Sequence, residues 1–280
     1  MLATRGTITV KRLSPHIGGE ISGVDLTRPV GDEQIAEIKA ALIENGVIFF
    51  RDQPMSLDAQ VAFGRRFGDL HIHSGMPGLD DKHPEVRPIH ADADSKHIAG
   101  EDWHTDLSCD PIPPMGSILH IYELPPLGGD TCWASMYAAY DALSPRMQAH
   151  LEGLTATHDG RIAFGRFNPK GTYPISVHPV VAKHPETGRK LLYVNRGFTS
   201  HINDVSPEES AALLNYLYAH LEKPHFHVRF VWQKHSVAFW TTVAPSTSRC
   251  GTTSRKPATV IASKSKAPSP RSRPRPGSSS

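Results

Sequence analysis

Trp103-His104-Thr105-Asp106 is the stretch of this 280-residue chain whose residue types and spacing point most directly at chemistry. An imidazole and a carboxylate two positions apart on extended backbone project to the same side, because side-chain direction repeats every two residues along a strand. One short segment can then supply two of the three ligands of a 2-His-1-carboxylate metal site and leave open positions on an Fe(II) ion. A His-x-Asp pair is more often a solvated surface pair, so the surrounding segments have to decide. Three other histidine groups compete for attention: His71 with His73, His225 with His227, and His235. His225 and His227 follow Lys223-Pro224 and precede an apolar run, which reads as a framework strand rather than a ligand segment.

The elements that would position His104 and Asp106 are mostly short strands. Residues 7–13 alternate like a half-buried strand, and Val47–Phe50 is a fully apolar one. A helix is expected from Asp32, which could cap it, to Asn45-Gly46; Ser56 should cap a second helix. Residues 69–102 are polar and aperiodic, a long loop leading into Trp103. The run from Trp103 is expected to continue extended towards Gly116–Leu124, with a turn and strand at Leu127–Trp133 and helices over 136–152. Strands at Val177–Ala182 and Lys190–Val194 follow, and Ser206-Pro207-Glu208-Glu209 combines a capping box with proline at the first helical position. Strands at 225–232 and 235–240 end the regular part. Many short strands with a few helices outside them predict a mainly β fold, a jelly roll with flanking helices.

Composition narrows the function classes. No apolar run approaches a membrane span and the N-terminus has no signal-like core, so a cytoplasmic protein is expected. Cys109, Cys132 and Cys250 are too few and too irregularly spaced for a disulfide framework. The net charge of +2 conceals a division. Eight of the 30 Lys/Arg and none of the 28 acids lie beyond residue 240, leaving 22 basic against 28 acidic side chains in the first 240 residues. The body is mildly acidic and the tail is basic and rich in Pro and Ser.

With these segments placed, the sequence resembles the taurine and 2,4-dichlorophenoxyacetate dioxygenase family of Fe(II)- and 2-oxoglutarate-dependent enzymes. The resemblance covers nearly all of residues 6–240. It is carried by Ile17-Gly-Gly-Glu-Ile-Ser-Gly-Val-Asp-Leu26, Phe50-Arg-Asp-Gln53, Phe67-Gly-Asp-Leu-His-Ile-His73, Trp103-His-Thr-Asp106, Leu127-Gly-Gly-Asp-Thr131, Val194-Asn-Arg-Gly-Phe198 and Trp232–Trp240. It implies a double-stranded β-helix and an oxidoreductase that hydroxylates a C–H bond of a small anionic substrate, converting 2-oxoglutarate and O2 to succinate and CO2. It implies metal-binding roles for His104 and Asp106, a 2-oxoglutarate contact for Thr131, and substrate contacts for His73, Phe164 and Phe198. Met76 and Gly100 stand where the taurine enzyme has Tyr and Asn, so the implied substrate widens to another sulfonate, a sulfate ester or a carboxylate.

The resemblance stops at Trp240. The family continues with Asp-Asn-Arg, a third ligand His and two Arg, whereas this chain reads Thr241-Thr-Val-Ala-Pro-Ser-Thr-Ser-Arg-Cys250. Restoring one G after the Trp240 codon permits Asp-Asn-Arg-Arg-Ala-Gln-His in the shifted frame. The restored His falls at Thr247, and the restored Arg pair falls at Ala258 and Ala262. The expected organisation is therefore a dioxygenase domain over residues 1–240, truncated and open at its C-terminal edge, and a disordered, frameshifted tail over 241–280. Two functions follow. The first is a 2-oxoglutarate-dependent dioxygenase, impaired in this chain, acting on a small molecule, with homo-oligomerisation open and neither membrane nor nucleic acid as partner. The second is a non-catalytic jelly-roll binding protein whose basic tail meets nucleic acid or an acidic partner. The tail carries no aromatic residue for base stacking, which favours the first.

Overall fold

A computed structural model describes residues 2–72, 78–89, 100–125, 127–242, 245–250 and 258–264. The chain begins with β1 (Leu2–Arg5), β2 (Ile8–Arg12) and β3 (Gly19–Ser22), then α1 (Asp32–Asn45), β4 (Val47–Phe50), α2 (Leu57–Arg65), β5 (Asp69–Leu70) and β6 (Val86–Ile89). After the site segment come β7 (Gly116–Ile121), β8 (Asp130–Ser135), α3 (Met136–Asp141), α4 (Pro145–Leu151), β9 (Thr155–Asp159) and α5 (Gly160–Phe164). The remainder is β10 (Ile175–Pro179), β11 (Val181–Lys183), β12 (Lys190–Leu192), β13 (Thr199–Ile202), α6 (Pro207–Leu221), β14 (His227–Phe230), β15 (Val237–Thr241), β16 (Pro245–Cys250) and β17 (Ala258–Lys264).

The large sheet runs β1-β2-β3-β4-β15-β7-β17-β5, with β6 paired to β17; β14-β8-β16 forms a second sheet. Between them lies an interior of Val47, Phe49, Ile121, Trp133, Phe230, Trp232 and Trp240. Phe49 stacks on Phe230 with ring centroids 3.9 Å apart, so side chains from the two sheets meet directly. β4 shows why its sequence is continuously apolar. Val47 and Phe49 face the barrel interior, while Ile48 and Phe50 pack outward under α1 and α2 with Ile35, Ile38, Leu42 and Phe63. A strand buried on both faces has no polar alternation. β15 repeats the pattern with Ala238 and Trp240 inside and Val237 and Phe239 outside. The result is the jelly roll with flanking helices.

Local signals hold where side chain and backbone cooperate. Ser56 accepts from the Ala59 amide, and Ser206 forms the complete capping box with Glu209. Asp32 differs: Gly31 occupies the N-cap of α1 without a side-chain bond, and the Asp32 carboxylate pairs with Arg66 instead. The helical stretch at 136–152 is two short helices, because Ser144 caps α4 anew with Pro145 at its start. Cys132 on β8 is in a disulfide, which the cysteine spacing does not announce, and Cys109 is free and buried.

The tail is the main correction. Pro245–Cys250 and Ala258–Lys264 are strands, so neither the open edge nor a wholly unstructured 241–280 is found. β16 pairs antiparallel with β8, and β17 with β7, β6 and β5. A ladder is made by main-chain N–H and C=O groups, and an unpaired edge inside a barrel is costly, so a run such as Thr259-Val260-Ile261 with high β-preference fills it. The other tail residues lie outside those described. Among the described residues no helix is long and apolar enough to cross a membrane.

Candidate metal and substrate site

His104 and Asp106 lie where the two sheets meet. Rather than one strand running on to Gly116, residues 106–109 form a turn with Leu107 at φ 52°, and β7 begins after it. The two side chains nevertheless converge, with His104 Nε2 3.3 Å from Asp106 Oδ1. His104 Nδ1 is 2.8 Å from the Asp102 carbonyl. A carbonyl only accepts, so Nδ1 carries a proton, and Nε2 faces Asp106 and donates to it when the ring is protonated. Asp106 Oδ2 accepts from Ser117 Oγ at 2.7 Å and from Trp240 Nε1 at 3.1 Å. The carboxylate is thereby held with Oδ1 towards the imidazole, the outer support that orients metal ligands.

Burial opposes charge on both groups. For His104 the Asp106 carboxylate outweighs it and holds the imidazole above its ordinary value. For Asp106 the hydrogen bonds from His104, Ser117 and Trp240 outweigh it and hold the carboxyl below its own. The segment is also pinned from the other side. Gly197 presses so closely that a Cβ there would lie 2.6 Å from His104 Cβ, and its amide donates to the Trp103 carbonyl at 3.0 Å. Only glycine fits that approach.

The Fe(II) that such a pair suggests finds a partial fit. An imidazole Nε2 and a carboxylate oxygen aim at one point, but among the described residues no group of three His, Cys, Asp or Glu side chains could hold a metal. The position across from His104 is filled by Thr247. The two residues form an isolated antiparallel bridge, His104 N donating to Thr247 O at 2.9 Å and Thr247 N to His104 O at 2.8 Å. Thr247 is buried, and its neighbours Ser246 and Ser248 bond the carbonyls of His104 and Glu101. Among the described residues the set stops at His104 and Asp106.

The other sequence candidates sort as follows. Thr131 lies on the same face of β8 as interior Trp133, and its Oγ1 accepts from Trp232 Nε1 at 2.9 Å, which leaves its own proton to donate. Phe164 and Phe198 are brought together, ring centroids 5.4 Å apart, with Leu107, Cys109 and Tyr173 around them. Gly100 sits with φ 85° beside the His104 ring, its ideal Cβ 3.5 Å from Cε1. His73 and Met76 lie outside the described residues. His71 is buried with Nε2 3.5 Å from Asp110 Oδ2. His227 Nε2 contacts the Leu221 carbonyl at 3.1 Å and its ring lies against Trp103, as a framework residue would. Ser117, bonded to Asp106, and Arg87, whose guanidinium lies over the Phe164 ring, are the additions that sequence reading misses. Both depend on strand register, which a linear pattern does not encode.

A family model described as "Taurine catabolism dioxygenase TauD, TfdA family" matches residues 9–243. The chain belongs to this family. It is 34% identical over 252 residues to an alpha-ketoglutarate-dependent sulfonate dioxygenase of Saccharomyces cerevisiae, covering 84% of this chain and 61% of that relative. The chain thus spans about three-fifths of the yeast protein's length. Over 256 residues it is 30% identical to the alpha-ketoglutarate-dependent 2,4-dichlorophenoxyacetate dioxygenase of Cupriavidus pinatubonensis, with 84% of this chain and 89% of the relative covered. The crystal structure of a taurine dioxygenase from Burkholderia xenovorans matches with TM-score 0.80 and 37% identity over 92% of this chain and 90% of that one. Of the two functions weighed from the sequence, these similarities favour the dioxygenase.

Proposed function

We propose that residues 1–240 are the body of a 2-oxoglutarate-dependent dioxygenase for a small organic oxyanion, and that the chain as written is impaired because its metal site is one ligand short. The substrate class is a sulfonate, sulfate ester or carboxylate, in keeping with relatives named for sulfonates and for an aryloxyacetate. The reaction is hydroxylation of a substrate C–H bond coupled to conversion of 2-oxoglutarate and O2 to succinate and CO2. His104 and Asp106 are the two metal ligands, Thr131 donates to the far carboxylate of 2-oxoglutarate, and Phe164 and Phe198 wall the substrate; His73 is a further substrate contact. A cytoplasmic location is the corresponding expectation.

One observation carries the reading: the His104–Asp106 pair is oriented from behind by Ser117 and Trp240, and Thr247 is bridged to His104 where the family resemblance calls for a third ligand. A hydroxyl of ordinary pKa is a poor replacement for a neutral imidazole on Fe(II). Because the backbone at 247 is already beside His104, Thr247→His should add a ligand without moving the chain. Loss of supporting residues costs about 10–100-fold in metal affinity or activity, and a ligand should matter at least as much. Mn(II) titration followed by electron paramagnetic resonance should show T247H binding at least about 10-fold tighter than the parent. Succinate release from 2-oxoglutarate should be seen in T247H and be lost again in T247H/H104A. Tight binding and equal turnover by the parent, abolished by H104A, would show that the present C-terminus is competent.

A further inference from the structure

Arg87 is a cation on the barrel-facing side of β6 that meets no acceptor among the described residues. On β6, Val86 packs outward into the core under the helices and Ile89 packs on the barrel interior. Alternate residues share a face, so Arg87 points inward with Ile89. Its guanidinium carbon lies 5.8 Å from the centre of the Phe164 ring, near the outer limit of a useful cation–π contact. Burial disfavours its charge, and the Asp106 carboxylate and Tyr173 phenol are the groups close enough to favour it. Yet no carbonyl or carboxylate among the described residues accepts a hydrogen bond from it. Arg51, Arg161, Arg166, Arg196 and Arg229 all have such partners. A half-buried guanidinium whose donors meet no acceptor among the described residues is well placed to take one from a ligand.

Its place in the sheet adds a second argument. Arg87 pairs in register with Val260 on β17, between Ala258 and Ala262, which pair across the other edge with Ile121 and Ser117. Neither alanine can bring a positive charge to the pocket. Arg87 can, from the neighbouring strand and at the same level of the barrel.

We propose that Arg87 is the oxyanion anchor of this pocket, gripping the carboxylate or sulfonate of a small organic anion beside Asp106 and against Phe164. The proposal rests on the reading of this pocket as the reaction chamber. A planar guanidinium can grip such a group through two parallel N–H bonds, which a lysine ammonium cannot reproduce.

The test uses the full chain without metal and measures binding of 2-oxoglutarate and of pentane-1-sulfonate by calorimetry, for the parent, R87Q and R87K. Charge-assisted hydrogen bonds of this kind correspond to about 10–100-fold in affinity, so R87Q should weaken at least one anion by that factor and R87K should recover part of it. Weakening confined to 2-oxoglutarate assigns Arg87 to the co-substrate; weakening confined to the sulfonate assigns it to the substrate; either supports the anchor. Should R87Q fail to fold by circular dichroism, R87K alone decides, with a loss of about 5-fold or more expected. Unchanged affinities in the variants, or a parent that binds neither anion at millimolar concentration, overturn the proposal. The two readings separate in T247H. Turnover there that R87Q leaves intact discards Arg87 and keeps the dioxygenase. Arg87-dependent anion binding with no turnover discards the dioxygenase and keeps the anchor.

Discussion

The barrel wall is built in two ways. Along β4 and β15 each side chain is committed: Phe49 and Trp240 fill the interior while Phe50 and Phe239 fill the layer beneath the helices. The closing strands β16 and β17 join instead through ladders to β8 and β7, with Ser, Thr, Ala and Pro prominent in their sequence. The difference separates what a fold requires from what a reaction requires. Main-chain pairing accepts almost any strand-compatible sequence. Chemistry does not, because a metal or an anion is held only by particular donor atoms at particular points. Main-chain pairing can therefore close this barrel without fixing what its side chains supply to a site.

The largest effect that would sharpen the contrast lies in the committed wall. Trp133 is fully buried and contacts Phe49, Trp232 and Trp240 with ring centroids 5.2–6.2 Å away. Trp133→Ala should lose about 3–5 kcal/mol, through both lost burial and the cavity left behind. Urea unfolding measures it. A loss below about 1 kcal/mol would mean that the interior collapses freely and that the two walls do not differ in kind.

Acid should act on the same side of the comparison. His120 on β7 is fully buried, and burial, helped by the nearby His235, pulls its pKa from an ordinary 6.5 to about 4. His158 on β9 is fully buried too, and burial together with His178 pulls it down to about 3. The folded state thus binds fewer protons than the unfolded chain between pH 6.5 and these values. Stability from both groups is complete above 6.5 and falls as the pH drops towards 4 and 3. At about 1.4 kcal/mol per pH unit for each group, the loss at pH 5 is roughly 2 kcal/mol per histidine. Unfolding midpoints at pH 7 and pH 5, for the parent and His120→Gln, test it. A parent equally stable at both values would place these rings in contact with water.

What was legible in the sequence follows the same divide. Val47–Phe50 is found with its expected bounds, Ser56 and Ser206 cap as their spacing predicts, and His104 and Asp106 meet. Each of these is a local pattern in which side chain and backbone agree. The strands at Pro245–Cys250 and Ala258–Lys264 were not legible, because composition suggested no core and the reason for their order is an edge supplied by distant β7 and β8. Ser117 and Arg87 escape for a related reason. One reaches Asp106 across 11 residues and the other lies over the Phe164 ring from 77 residues away. Proximity of that kind is set by register and twist, not by spacing.

The smallest effect is the most diagnostic. Thr247 is tied to His104 by two main-chain hydrogen bonds, which any residue except proline can make. Thr247→Val keeps the β-branched shape and the strand preference and removes only the hydroxyl. If Thr247 is simply the residue that stands where a ligand is missing, the variant should match the parent within about 1 kcal/mol in thermal unfolding. Its Mn(II) affinity should equal the parent's, while T247H gains. The same position would then be silent towards loss of an oxygen and responsive to gain of an imidazole, the signature of a strand serving the fold without serving the metal. A marked fall in metal affinity in T247V, with unfolding unchanged, would mean that the threonine oxygen is itself a ligand. The closing strand would then be chemically committed after all, and the contrast between the two walls would not hold.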